Sequence, residues 1–276
     1  MRRSTTTGTT SALLAAAVLA SATACSAGAE DEGKPKGTPT LAERPVKVPD
    51  TVVSRATAKT GKGTARIAEK IQLASEGSKF TISVAGPFDL AGDRGRLSVD
   101  LPGGAIDHMD EVFGGGKVYL QPLGNLGKKK WAVIDRDKAE AHYLLRAPVN
   151  DPEHVLRQIS TMREVAKVGT EKVGRATATH YTGTLDHNTV SMRLAATVRA
   201  KVDALRQKQG QDLPVVADAW VDGQGRLVRA RMSCHMGGTT LRITMDLSDF
   251  GVAVKAPVPD ASVTVPAQAT QGILPG

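Results

Sequence analysis

Aromatic side chains are scarce in this chain: two Trp, three Tyr and four Phe make up 3% of its 276 residues. That argues against a single-stranded nucleic-acid binder, which needs stacking platforms, even though the net charge is +8. Cysteine is scarcer still, with Cys25 and Cys234 more than two hundred residues apart. The longest apolar run, Ala12–Ala22, is well short of the roughly 20 residues that span a bilayer. The six histidines, at 108, 142, 154, 180, 187 and 235, show no HExxH and no paired ligand spacing. Cys234 and His235 are adjacent in an expected strand, so their side chains point to opposite faces. GxSxG, Ser-x-x-Lys and Walker patterns are all missing; "GKGTA" and "GGGK" lack the Walker spacing and read as turns. Nothing here supports catalysis, a metal or a cofactor, so a non-enzyme is expected.

What is present begins with Arg2-Arg3, the short apolar run, and "ATAC" at Ala22–Cys25. A basic start, an apolar core and small residues before a cut site describe a secretory signal peptide over 1–24. "ATAC" resembles the lipobox of bacterial lipoproteins, in which the cysteine becomes the first mature residue and carries a diacylglycerol. The alternative is an ordinary cleaved signal with an unrelated cysteine. Two acyl chains hold a protein stably at a membrane where one does not. The resemblance therefore implies lipidation at Cys25 and residence on the outer face of the cell membrane. If Cys25 is a thioether, Cys234 has no partner in the chain and is read as a small buried apolar residue. Cleavage also removes two arginines and no acid, leaving a charge of +6 that suits an anionic surface. The densest basic cluster, Lys128–Lys130, reads as a solvated hairpin loop or as a contact with lipid headgroups.

Residues 25–49 are rich in Gly, Pro and charge and read as a lipidated, flexible tether; 266–276 read as a loose tail. Between them, residues 50–265 suffice for one domain with a sizeable core. "PDTVVSRATAKTGKG" suits a helix capped by Asp50 and ended by Gly61. Period-two alternation marks strands: Phe80, Ile82, Val84; Leu97, Val99, Leu101; and Leu241, Ile243, Met245, Leu247. Further strands are expected over 64–73, 105–113, 117–121, 130–135, 163–169, 177–185, 214–222 and 226–235, about eleven in all. Gly114–Gly116 and Asp222–Gly225 mark tight hairpins. "NDPEHVLRQISTM" suits a helix capped at Asn150 or Asp151, and 187–210 a longer one with Val190, Leu194, Val198, Val202 and Leu205 on one stripe. Asp218 and Asp222 flank Trp220 at strand spacing, with Arg229 and Arg231 across the hairpin. They read as an outer sheet face or as a small polar site.

The fold class is therefore α+β, a meandering antiparallel sheet with few helices. A sheet of that length presents more apolar surface than three modest helices cover. Either it curls around them and closes on itself, or it leaves a hollow for an apolar ligand; the pattern is compatible with both.

The chain resembles the LppX/LprG family of actinobacterial lipoproteins, whose fold is similar to the lipoprotein carrier LolA. The resemblance rests on the lipobox, "TGKGTARIAEKI" (Thr60–Ile71), "GPFDLAGDRGRLSVDL" (Gly86–Leu101), "GGKVYLQPL" (Gly115–Leu123), "KKWAVID" (Lys129–Asp135), "ATATHYTGTLD" (Ala176–Asp186) and "AWVDGQGRLVRARM" (Ala219–Met232), in that order. It implies a single strongly curved antiparallel sheet, a half-barrel, with helices on its concave side. It also implies that an acylated lipid or glycolipid is held in the hollow, with or without onward transfer. The apolar parity of the strands then names the lining: Ile67, Ile71, Phe80, Ile82, Val84, Leu97, Val99, Val118, Leu120, Val133, Leu241, Ile243 and Met245. The alternative function is a cell-envelope interaction or sensing module with no lipid ligand, docking an envelope membrane protein.

Overall fold

The computed structural model describes residues 44–103, 106–122 and 130–267. Cys25, the signal segment, Lys128, Lys129 and the tail beyond 267 lie outside the described residues. The chain enters with β1 (Val46–Lys47) and α1 (Thr51–Thr60). A meander follows: β2 (Thr64–Ser75), β3 (Ser78–Asp89), β4 (Arg94–Asp100), β5 (His108–Gly114), β6 (Lys117–Gln121) and β7 (Trp131–Asp135). A crossover bearing α2 (Pro152–Ser160) leads to β8 (Arg163–Val173) and β9 (Ala176–Leu185). Then come α3 (His187–Val190), α4 (Ala196–Gln209), β10 (Val215–Asp222), β11 (Leu227–Met236), β12 (Thr239–Ser248) and β13 (Thr264–Pro266).

All the strands join one curved, unclosed sheet in the order β1-β8-β9-β10-β11-β12-β2-β3-β4-β5-β6-β7-β13. Every pairing is antiparallel except β13 with β7. Two meanders, β2–β7 and β8–β12, thus lie side by side, joined where β12 pairs with β2. The single antiparallel sheet is the architecture expected, with thirteen strands rather than eleven. The two additions are edge pieces, one from the expected tether and one at the end of the domain, where no strand was expected. Val46 and Lys47 of the expected tether pair with Lys167 and Ala166, and Thr264–Pro266 pair with Trp131–Val133.

Hairpin geometry follows the turn residues. Gly115 and Gly116 hold φ of 60° and 72° between β5 and β6, where a side chain would be strained. At the β10–β11 turn Asp222 Oδ1 accepts from the backbone N–H of Gln224 and Arg226, and Gly225 supplies φ 75°.

Helix α1 forms where expected, but Asp50 does not cap it. Its Oδ1 accepts from Val165 N–H at 3.0 Å, tying the entering chain to β8. Asp151 does cap α2, accepting from Glu153 N–H at 2.9 Å. The single helix expected over 187–210 is two: α3 ends after Val190, Leu194 lies in the turn between them, and α4 starts at Ala196. Val202 is its buried residue, with Val198 and Leu205 packed partly against the core, and Gly210 ends it in the left-handed region at φ 68°.

The inner face of the sheet is covered as much by the crossover as by helices. Ala139, Ala141, Leu145, Ala147 and Val149 are buried in the same core as Val155, Leu156 and Ile159 of α2. Arg136 anchors this crossover: Nε and Nη2 donate to the two oxygens of Asp151 at 2.7 Å, and its guanidinium lies 5.3 Å from the centre of the Phe113 ring.

Candidate functional site

Three consecutive rungs between β2 and β3 define an axis. Leu73 pairs with Phe80, Ile71 with Ile82, and Glu69 with Val84. Exposure falls along them from 43% and 40%, to 6% and 4%, to 1% and 1%. The inner face therefore opens at the Leu73–Phe80 end and is sealed two rungs further in. At the open end is a hollow of about 610 Å³, lined by β2–β3 and by Leu101, Cys234, Met236, Thr239 and Leu241. Tyr143, Leu144 and Arg146 of the crossover complete its wall.

The sealed end is polar. Glu69 and Glu111 occupy inner-face positions, since Glu69 pairs across to Val84 and Met245, and Glu111 to Leu97 and Leu120. Both are buried. Asn150 Nδ2 donates to Glu111 Oε1 at 2.8 Å, while neither oxygen of Glu69 has a hydrogen-bond partner among the described residues. Burial pushes both carboxyls up to about 8, against the opposing pull of the nearby Arg146 charge. They are therefore chiefly protonated at neutral pH. Arg146 is 5% exposed and donates from Nε and Nη2 to Asn150 Oδ1 at 3.3 and 3.1 Å. No ion pair to it occurs among the described residues.

Of the expected lining, Ile71, Phe80, Ile82 and Leu241 surround the hollow. Ile67, Val84, Leu97, Val99, Val118, Leu120, Ile243 and Met245 share the inner face but are sealed in the packed core. Val133 is on the other face: it pairs with Tyr119, while the neighbouring pairs Val118–Ile134 and Leu120–Ala132 point inward. Cys234 is buried as expected and also lines the hollow, its thiol pKa raised by burial. His235, pointing the other way, meets Thr240 Oγ1 at 2.8 Å.

Sequence reading missed Glu69, Glu111, Arg146 and Asn150. For the two glutamates a signal existed: each is a charge at an apolar parity position, between Ile67 and Ile71 and between Met109 and Phe113.

The outer-face residues around Trp220 form a separate, self-satisfied cluster. His180 stacks on Trp220 with centroids 4.3 Å apart, and its Nε2 lies 2.9 Å from Asp218 Oδ1. Arg231 donates Nη2 to Asp218 Oδ2 at 2.8 Å and lies over the Trp220 ring. Asp222 is taken by Arg226 at 2.7 Å and Arg229 by Asp246. With these charges matched and Trp220 3% exposed, no open polar site is left there among the described residues.

Among the described residues no His, Cys, Asp and Glu side chains gather as a metal site, and no helix is long and apolar enough to cross a membrane.

No family model matches the chain. In sequence it is similar to an uncharacterized 31.2 kDa protein of the rplA-rplJ intergenic region of Streptomyces griseus, 28% identical over 214 residues, 68% of this chain and 70% of that one. In structure it is similar to LprF from Mycobacterium bovis, at 11% identity and a TM-score of 0.48, covering 77% of this chain and 97% of that one. It is also similar to the Mycobacterium tuberculosis lipoprotein LppX, at 14% identity and a TM-score of 0.44, covering 75% and 96%.

Proposed function

We propose that this protein is a membrane-anchored, extracytoplasmic lipoprotein that binds an acylated lipid or glycolipid, without catalysing a reaction. The observation that carries the reading is the apolar hollow of about 610 Å³ at the open end of the inner face. Leu73 and Phe80, two of the few large hydrophobic side chains left exposed, stand at its rim. Hollows of about 300–1,000 Å³ enclose most of a small ligand's surface. Burial of acyl chain in such a site contributes roughly 25 cal/mol per Å² before the costs of association. The lining in this reading is Ile71, Phe80, Ile82 and Leu241, with Leu73, Leu101 and Met236 added.

The anchor belongs to the same reading. The signal segment 1–24 is removed, Cys25 is diacylated, and the tether from Ser26 carries the folded domain outside the membrane.

Native mass spectrometry tests this on the full chain, made by cell-free synthesis so that it is not exported and Cys25 stays unmodified, then incubated with membrane lipid extract. A bound mass equal to a phospholipid, fatty acid or glycolipid is expected. A clean apo mass that persists after incubation with membrane lipid extract would sink the lipid reading.

A further inference from the structure

Arg146 is the one cationic side chain lining the hollow among the described residues, and its surroundings do not neutralise it. Its hydrogen bonds go to the neutral amide of Asn150. The carboxyls whose charge would act on it, Glu69 and Glu111, are held mostly protonated by burial, and Nη1 has no protein partner among the described residues. A buried cation without an anion is costly, and the cost is relieved when an anion enters. The polarity of the hollow also runs in an unusual direction. Its rim carries the exposed side chains of Leu73, Phe80 and Tyr143, while its one charge lies further in, joined through Asn150 to the sealed Glu111 and within electrostatic reach of Glu69. A lipid placed headgroup outward would set its tail against the guanidinium.

We infer that the hollow takes a single-chain anionic amphiphile head first, its carboxylate or phosphate paired with the Arg146 guanidinium and its acyl chain running out past Ile71 and Ile82 to the Leu73–Phe80 rim. A guanidinium matches either anion with paired N–H donors. Size agrees with one chain: the outermost and innermost rungs are four residues apart, about 13 Å along the strand. This inference rests on the lipid-binding reading above and adds the ligand's charge and direction.

The test titrates the full chain, made without acylation, with cis-parinaric acid and with its methyl ester, following fluorescence. The acid is expected to bind about ten-fold more tightly than the ester, the scale of one charge-assisted hydrogen bond. Arg146→Leu should erase that preference while leaving ester binding in place, and Arg146→Lys should keep most of it.

Direction is read on the unaltered protein, so it does not depend on the variants folding. Stearate carrying a nitroxide at carbon 5 should be shielded from a water-soluble relaxation agent, and at carbon 16 it should be accessible. Displacement by palmitate against a sixteen-carbon lysophosphatidate then tells carboxylate from phosphate.

Equal affinity for acid and ester, or a carbon-5 label more accessible than carbon 16, overturns the head-first site while leaving a lipid hollow standing. Failure of both acid and ester to bind overturns the site and the lipid reading together.

Discussion

Replacing Glu69 by glutamine tests whether the floor of the hollow is neutral, on which the free charge of Arg146 depends. Glu69 is fully buried without a hydrogen-bond partner among the described residues, and burial raises its carboxyl from the ordinary 4.5 to about 8. The folded protein therefore holds a proton that the unfolded chain has lost between about pH 4.5 and 8. Stability falls as pH rises through that window, and the loss is complete above about 8. At pH 7 the cost is about 2.5 pH units of proton uptake, roughly 3 kcal/mol. Glutamine has nearly the same shape and never ionises, so Glu69→Gln removes this cost. The variant should match the wild type near pH 4.5 and exceed it by about 3 kcal/mol at pH 7, roughly 6–12 °C in Tm for a domain of this size. Urea denaturation of both proteins at the two pH values measures the difference directly. If Glu69 were instead ionised and paired with Arg146, its loss would leave a buried cation uncompensated. The variant would then be the less stable at pH 7, and that outcome refutes the neutral-floor argument along with the availability of Arg146 to a ligand.

Two other substitutions separate the hollow from the core around it. Leu241→Trp projects a large side chain into the hollow from a half-buried position, and should reduce bound lipid in native mass spectra while shifting Tm by only a few degrees. Val99→Asp, at a fully buried core position, should instead lose near-UV circular dichroism and lipid together, by unfolding rather than by altering the site. Gly86→Ala should be among the most damaging single changes, about 4 kcal/mol or more by chemical denaturation. Its Cβ would lie 2.0 Å from the carbonyl oxygen of Arg96, a backbone atom that cannot swing aside.

The succession of strands and hairpins was legible because it depends on neighbours in sequence. Phe80, Ile82 and Val84 alternate with polar residues whatever lies above them, and the glycines at 115, 116 and 225 meet a local need for positive φ. Arg136 illustrates the other kind of feature. Its aspartate partners, Asp151 and Asp93, are fifteen and forty-three residues away and its aromatic neighbours come from two different strands, so no local pattern announces it.

The parity of β7 was likewise not decided by its own residues. In "WAVID" the outer positions carry Trp131 and Val133 and the inner ones Ala132 and Ile134, a register fixed by pairing with β6. Asp50, an expected helix cap, was claimed instead by a strand 115 residues further along. Which apolar residues face a hollow rather than a filled core depended on how far the crossover reaches over the sheet. Leu97, Val99 and Val118 are buried in one core with Ala139, Leu145 and Val149 of the crossover, whereas Leu73 and Phe80 stay exposed at the hollow.

The sequence by itself determined the alternation, the turns, the likeness to exported lipoproteins and the presence of more apolar sheet than three helices cover. Only the tertiary structure decided that two glutamates at apolar positions are stripped of water and protonated, that Arg146 faces an apolar space, and where that space opens. The physical reason is that desolvation and cavity shape are properties of everything packed around a group, and those surroundings come from segments far apart in the chain.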